Sequence, residues 1–182
     1  MKGETLHSSE PWLRLRFLGG CELWTPQGSV HLETAKTSAL LVYLVMRPGP
    51  HQRDTLIGLL WGDLPEPKAR RNLRRALWDL RRKLEHPGAP PFIITTRQTV
   101  EFNHESDYWL DVDAFTAQLK AARQSDQVAA RIKAFETARK LYRGDYMEEA
   151  PYEDWALATR EQLRDHYLAL PTDLAEAYAR QG

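Results

Sequence analysis

The stretch that most constrains this chain is KARRNLRRALWDLRRKL at 68–84, with eight basic side chains in seventeen positions. At about 100° per residue, Leu77, Leu80 and Leu84 fall within about 40° of Leu73, so four leucines form one stripe. Three arginines lie within about 20° of the opposite pole, and Lys68 and Trp78 lie about 40° from it; the arginines are Arg71, Arg75 and Arg82. The stretch predicts a helix with a buried stripe and an outward basic face, which is either solvated or contacts a polyanion.

The length and composition allow one or two small folded domains, with 182 residues of which 42% are hydrophobic and 27% charged. The longest apolar stretch, at 39–46, is less than half of the roughly 18 residues that cross a bilayer. The first residues lack the apolar segment of a signal peptide. We therefore expect a cytoplasmic protein with no membrane contact, in which residues 1–11 form a flexible polar tail.

The charges are balanced overall but divided unevenly along the chain. Lysine and arginine total 25, as do aspartate and glutamate. Residues 1–100 carry 15 basic and 9 acidic side chains, and residues 101–182 carry 10 basic and 16 acidic. A net +6 joined to a net −6 predicts two modules with different partners.

The first module has the element order of a winged helix. Alternating apolar residues predict short strands between 13 and 32, followed by helices over 34–46, 53–61 and 66–86 and a β-hairpin over 92–102. In that arrangement the third helix enters the DNA major groove and the hairpin contacts the backbone or minor groove. The predicted core comprises Leu13, Phe17, Leu40, Leu44, Leu56, Leu60, Trp61, Leu73, Leu77, Leu80, Leu84, Ile93, Val100 and Phe102, with Trp109 and Trp155 packing between or within the modules.

The second module reads as acidic and almost wholly helical. Asp111 or Asp113 is expected to cap a first helix, a second runs over 127–142, a third from about Tyr152, and a fourth follows Pro171. Paired helices of this size are typical of a tetratricopeptide (TPR) array. The predicted fold is thus an α+β winged helix over 12–103, then an all-α TPR-like domain over 104–182 that we expect to continue beyond the chain's end.

Ten residues are candidates for DNA contact. Lys36 and Arg53 lie near the starts of the first two helices, and Arg97 lies at the hairpin tip. The third helix contributes Lys68, Arg71, Asn72, Arg74, Arg75, Trp78 and Arg82. Arginine suits either role because its planar fork pairs with phosphate or with guanine O6 and N7. Trp78 either contacts a thymine methyl or sugar, or packs against the hairpin.

No pattern indicates catalysis, a cofactor or a metal site. The carboxylates of DYWLDVD at 107–113 and those at 148–154 are explained as helix caps and a solvated acidic face. The six histidines have no ligand spacing, Cys21 is the one cysteine, and no glycine-rich phosphate loop occurs. We therefore predict that the protein is not an enzyme.

Segments in both modules resemble the SARP-type (antibiotic regulatory protein) transcriptional regulators, in which an OmpR-like winged helix precedes a bacterial transcriptional activation domain. The most specific are LLWGD, the ARRNLRRALWDLRRKL helix, DVDAF, and YRGD with EDWA, in family order within residues 13–182. The resemblance implies an activator that binds direct-repeat promoter DNA, often as a dimer, and contacts RNA polymerase.

The sequence departs from the family at several positions. Ala35 and Ser38 stand where arginine is common, Gln52 replaces a serine cap, Trp78 replaces a small polar residue, and Pro171 interrupts a helical segment. Trp78 also favours an alternative function, a protein-interaction scaffold that uses the acidic helices and a winged helix that does not bind DNA.

Overall fold

A computed structural model describes residues 11–150 and 153–181, so residues 1–10 of the predicted tail lie outside the described residues. The strands in this part of the chain are β1 (Leu13–Arg16), β2 (Glu22–Thr25), β3 (Gly28–Val30), β4 (His51–Gln52), β5 (Ile93–Thr95), β6 (Thr99–Phe102) and β7 (Tyr108–Leu110). The helices are α1 (Ala35–Met46), α2 (Arg53–Trp61), α3 (Glu66–Leu84), α4 (Asp111–Gln124), α5 (Val128–Leu141) and α6 (Asp154–Ala179).

β1 lies inside a four-stranded mixed sheet of order β3-β2-β1-β7. It pairs with β2 in antiparallel fashion, with Leu15 opposite Leu23, and with β7 in parallel. Leu13 and Leu15 are buried whereas Arg14 and Arg16 are partly exposed, because successive side chains of a strand point to opposite faces. Since β7 belongs by sequence to the second predicted module, this sheet joins the two modules.

The three helices and the hairpin of the first module occur in the predicted order. The hairpin strands β5 and β6 form an antiparallel sheet with β4, in the order β4-β6-β5. α3 ends two residues before the predicted boundary, and its four leucines are at most 5% exposed. All fourteen residues of the predicted core are buried.

α1 shows how local sequence sets the limits of a helix. The Thr34 side chain accepts a hydrogen bond from the Thr37 N–H at 3.1 Å and caps the N-terminus. At the other end the helix stops at Met46, and Arg47 is extended because the following Pro48 disfavours helical backbone before it.

The C-terminal helices depart from the prediction at Pro171. Two helices separated there were expected, but α6 runs without interruption from Asp154 to Ala179, and the expected start at Tyr152 lies outside the described residues. Pro171 is exposed, so its ring lies on the solvent side, while its neighbours Leu170 and Leu174 remain buried. Burial of these leucines offsets the one helical hydrogen bond that proline removes.

Asp111 does not cap α4, contrary to the prediction. Leu110 is the capping residue without a side-chain bond, and Asp111 is the first residue of the helix. Its buried carboxylate instead accepts the backbone N–H groups of Phe17 at 2.8 Å and Leu18 at 3.0 Å. Burial raises the pKa of Asp111 above its ordinary value, against the lowering effect of these hydrogen bonds. Asp113, the other candidate cap, is exposed in the same turn.

The two modules meet where the loop after β1 lies against the segment after α5. The Gly19 N–H donates to the Asp145 carbonyl at 3.1 Å, and the Met147 N–H donates to the Phe17 carbonyl at 3.2 Å. Gly19 has a φ of 91°, and a Cβ atom at Gly144 would lie 2.9 Å from the Gly19 Cα atom. Only residues without side chains allow the backbones to approach this closely.

The two tryptophans predicted to pack between or within the modules do so. Trp155, near the start of α6, packs edge-on against Tyr43 of α1, with ring centroids 5.3 Å apart, and its carbonyl accepts from Arg47 at 3.2 Å. Trp109, on β7, lies under the guanidinium of Arg14 from β1 at 5.3 Å. Both aromatics therefore contribute to the contact between the modules.

Candidate nucleic-acid interface

The outer face of α3 is basic and solvent-exposed, as its leucine stripe predicts. Arg71, Arg74 and Lys68 are exposed, and their side chains make no hydrogen bond or ion pair to any residue that the structure describes. Arg75 and Arg82 keep 73% and 54% of their side-chain surface exposed. The acidic C-terminal helices make none of the described ion pairs with this face. This face is therefore open to solvent.

The other three basic residues of α3 have structural partners. Arg70 pairs with Glu66 at 2.8 Å and with Asp54 at 3.0 Å, which links the start of α3 to α2. Arg81 donates to the Ile93 carbonyl and to the Thr95 hydroxyl of β5. Lys83 donates to the carbonyl of His31 and lies 3.0 Å from Asp79. The basic run thus divides into an exposed set and a set that holds α3 in place.

Glu33 lies beside the exposed arginines, which the sequence did not predict. Its Oε2 accepts from Arg75 Nε at 3.3 Å and Nη2 at 3.0 Å, and its Oε1 lies 3.7 Å from Arg82 Nη2. Its backbone N–H donates to Asp79 Oδ2 at 3.1 Å. Asp79 is the one acidic residue within residues 68–84, and it is 1% exposed. A lone acid in a basic helix was the signal that could have indicated this network.

Trp78 is on the surface and not in a core. It is 55% exposed, and the Arg82 guanidinium lies over its ring, 4.6 Å from the centroid. A cation over an aromatic face is attracted by the ring quadrupole, by about 0.5–1 kcal/mol at exposed sites. Exposure of more than half of an indole disfavours the interpretation that Trp78 packs against the hairpin and leaves it available for contact.

Lys36 and Asn72 lie on the border of the basic face. Lys36 Nζ is 2.7 Å from Glu153 Oε1, so the predicted phosphate contact is engaged by a carboxylate from the second module. Asn72 is half-buried in a cleft that is also lined by Glu33 and Trp61. Neither side chain points as freely to solvent as the arginines of α3 do.

Of the two DNA contacts predicted near the hairpin, Arg53 is bonded to the protein and Arg97 is exposed. Arg53 Nε and Nη2 donate to the Thr96 carbonyl at 3.3 and 3.1 Å, and the Arg53 N–H donates to the Gln98 carbonyl at 2.9 Å. Arg53 therefore holds the hairpin tip against the start of α2. Arg97, at the tip itself, is exposed.

Two of the carboxylates weighed for catalysis, Asp107 and Asp111, occupy structural positions. Asp107 Oδ2 accepts the Trp12 N–H at 2.9 Å, and Asp111 links β1 to α4. Burial raises the pKa of the Cys21 thiol to about 12, so the reactive thiolate is not populated near neutral pH. Within the described ranges no group of three or more His, Cys, Asp or Glu side chains is arranged to hold a metal ion.

Two comparisons with known proteins gave matches. Residues 110–182 match the family model "Bacterial transcriptional activator domain". Mycobacterium tuberculosis EmbR, solved in complex with a low-affinity phosphopeptide, has a similar structure with a TM-score of 0.63 at 22% identity; the match covers 93% of this chain and 44% of that one. Comparison with curated proteins gave no match. The chain thus spans less than half of the length of EmbR, and the likeness to EmbR shows a shared fold.

These matches confirm the resemblance to SARP-type transcriptional regulators that the sequence motifs indicate. The family match points to a regulator of transcription. Separately, none of the helices in the described residues is long and apolar enough to span a bilayer.

Proposed function

Because residues 110–182 form a bacterial transcriptional activator domain, we propose that this chain is a sequence-specific, double-stranded DNA-binding regulator of transcription. Residues 12–103 act as the winged-helix DNA-binding domain and residues 104–182 as the TPR-like activation domain. The helix over 66–86 enters the major groove, and the wing over 92–102 contacts the backbone or minor groove.

The observation that carries the proposal is the sorting of charge on α3. The leucine stripe is buried, and the arginines opposite it remain exposed although acidic helices are available elsewhere in the same chain. A row of exposed guanidinium groups, of which Arg75 and Arg82 are paired with carboxylates and Arg71 and Arg74 have no described side-chain partner, supports duplex binding on a helix whose dimensions fit the major groove. The proposed contacts on this surface and on the wing are Lys68, Arg71, Asn72, Arg74, Arg75, Trp78, Arg82 and Arg97.

Lys36 and Arg53 contact phosphate in this proposal only after an exchange of partners. Lys36 must leave Glu153, and Arg53 must share its guanidinium between Thr96 and DNA. The Lys36 side chain is 44% exposed, and partly exposed ion pairs contribute only about 0–1 kcal/mol. A DNA phosphate can therefore compete for either side chain.

The partners of the second module are also part of the proposal. Residues 101–182 carry an excess of six acidic groups, and we assign to this domain the contact with RNA polymerase that leads to activation. Two copies bind side by side on direct-repeat promoter DNA. The backbones of the two modules touch at Gly19 and Gly144, so a movement of one module would move the other.

Selection of bound duplexes from a random DNA pool, followed by footprinting of the winning sequence, tests the proposal. We expect an enriched motif repeated in direct orientation, with protection of both repeats and a stoichiometry of two chains. Absence of any salt-sensitive duplex binding would overturn the proposal and favour the interaction scaffold. Purified RNA polymerase retained on the selected duplex only when this chain is present would support recruitment.

A further inference from the structure

The side chain of Glu33 bridges two arginines that lie seven positions apart on the outer face of α3. One carboxylate oxygen accepts from Nε and Nη2 of Arg75 at 3.3 and 3.0 Å, and the other lies 3.7 Å from Nη2 of Arg82. Seven residues correspond to about two helical turns, so these arginines project in nearly the same direction. A residue from outside the helix thus sets the orientation of two side chains within it.

The bond to Glu33 leaves the recognition edge of Arg75 open. A guanidinium has five N–H donors, and Glu33 accepts from the edge formed by Nε and Nη2. Both Nη1 protons and the second Nη2 proton remain available, and the side chain is 73% exposed. The edge formed by Nη1 and Nη2, which can pair with guanine O6 and N7, is therefore unoccupied while the edge formed by Nε and Nη2 is held.

Glu33 is itself fixed by α3. Its backbone N–H donates to Asp79 Oδ2 at 3.1 Å, and Lys83, which lies 3.0 Å from Asp79 Oδ1, donates to the carbonyl of His31. The 31–33 segment is consequently anchored to the helix at two backbone positions. Its glutamate is 29% exposed, which places the carboxylate at the border of the basic face and not beneath it.

We infer that Glu33 is a positioning residue, which orients Arg75 and Arg82 and so determines which base pairs α3 prefers. The inference rests on the proposed DNA binding and deepens it. An unrestrained arginine loses about 2 kcal/mol of side-chain entropy on fixing. An arginine already held on one edge loses less of this freedom on pairing with a base, whereas a phosphate accepts an arginine in many orientations. Glu33 therefore favours base contacts over backbone contacts.

Two other roles of Glu33 predict different effects on DNA binding. A negative charge near DNA repels every sequence equally, so a repelling Glu33 lowers affinity without altering base preference. A Glu33 that itself accepts from cytosine N4 alters preference even when Arg75 is absent. The coupling between Glu33 and Arg75 separates these roles from positioning.

The experiment measures base preference by competition among single-base variants of the selected duplex. The proteins compared are the wild type, Glu33→Gln, Glu33→Ala, Arg75→Ala and the doubly substituted Glu33→Gln/Arg75→Ala. Glu105→Gln, which removes an exposed acid elsewhere in the chain, is the charge-matched control. Circular dichroism and thermal unfolding verify that each variant is folded.

We expect Glu33→Ala to reduce the preference at the base pairs that respond to Arg75→Ala by about fivefold or more. Glu33→Gln should retain part of the preference, since its amide oxygen still accepts from Nε. Glu33→Gln should have no further effect at those base pairs in the Arg75→Ala background. Glu105→Gln should leave the preference unchanged.

The inference is overturned if both Glu33 variants tighten binding to all duplexes alike and keep the wild-type preference, or if Glu33→Gln changes preference equally with and without Arg75. Either outcome leaves the proposed function intact, because wild-type binding is measured in the same series. A wild-type chain that shows no salt-sensitive duplex binding overturns the proposed function itself.

Discussion

Asp111 shows how one buried carboxylate connects the two modules. It accepts the N–H groups of Phe17 and Leu18, which β1 leaves unpaired as it ends, and it starts the helix of the second module. Asp111→Asn retains one acceptor oxygen for two donors and turns an NH₂ group toward the second. We expect a loss of about 1–3 kcal/mol in the free energy of unfolding, because one buried N–H becomes unsatisfied. Urea unfolding at neutral pH measures this loss.

The difference in free energy of unfolding between the wild type and Asp111→Asn should depend on pH. Burial raises the pKa of Asp111 above its ordinary value near 3.8, so the folded protein holds this proton to higher pH than the unfolded chain does. Asp111 therefore contributes most stability below pH 3.8, and this contribution falls as pH rises through the window up to its raised pKa. The stability difference between wild type and Asp111→Asn should be larger at pH 4 than at pH 7. An equal difference at both values would contradict this account.

Gly19 is required by its backbone conformation and by its neighbour. Alanine at Gly49, which has a φ of 102° in open surroundings, should cost about 1–2 kcal/mol from the left-handed backbone alone. Alanine at Gly19 should cost more, since its Cβ atom would lie 3.1 Å from the Arg143 carbonyl carbon. Chemical denaturation of both variants measures the difference, which reports the contact between modules. Equal losses would show that this contact contributes nothing.

The sequence predicted the residues whose placement follows from helical periodicity, and missed those placed by tertiary contacts. Arg71, Arg75 and Arg82 project outward because the leucines opposite them are buried. Glu33 comes to α3 from 42 positions away from Arg75, through a loop whose path no local rule specifies. The role of Asp111 was also missed, since an acid in a first helical turn usually serves as a cap.

At the scale of elements, α6 contains a proline, Pro171, which destabilises a helix. Pro171 deprives the Tyr167 carbonyl of its helical partner, and it is exposed. Pro171→Ala should raise the free energy of unfolding by up to about 3 kcal/mol, since it restores one hydrogen bond and removes a steric conflict. Thr172→Ala, at the adjacent exposed position, controls for helix propensity. A Pro171→Ala protein no more stable than this control would mean that α6 tolerates the proline without cost.

The wing depends on Arg53 for its attachment. Arg53→Lys removes at least one of the two guanidinium bonds to the Thr96 carbonyl. The free energy of opening for the β5 and β6 amides should fall by about 0.5–1.5 kcal/mol, measured by hydrogen exchange. Arg97→Lys, on the same hairpin but exposed, should leave exchange unchanged. Unchanged exchange in Arg53→Lys would contradict the attachment and leave Arg53 as a phosphate contact.

Element order was the most predictable level of this fold. Prolines and glycines limit α1 and α3, and the alternation of apolar residues gives β1 and the wing. The uninterrupted α6 was not predicted, because a local rule about proline was outweighed by burial of Leu170 and Leu174 next to it. The addition of β7 to the first sheet depends on long-range pairing, which periodicity does not encode.

At the scale of the whole molecule, the central feature is the separation of an exposed basic face from an acidic domain in one connected body. The modules share a sheet through β7 and a backbone contact at Gly19, and yet the basic face of α3 makes its described ion pairs with Glu33 and Asp79. None of the described ion pairs of this face involves an acidic residue of the second module. The charge of α3 is thus directed outward, on the surface that we propose binds DNA.

The most direct test of this claim is the salt dependence of duplex binding by the wild type and by the doubly substituted Arg71→Ala/Arg75→Ala protein. The wild-type association constant should fall steeply with salt, with a logarithmic slope of about −0.9 per phosphate contact. The variant should bind more weakly, with a shallower slope where phosphates are contacted, or a loss of about 1–3 kcal/mol in sequence discrimination where bases are read. A variant with the affinity, slope and preference of the wild type would contradict the assignment of this face to DNA.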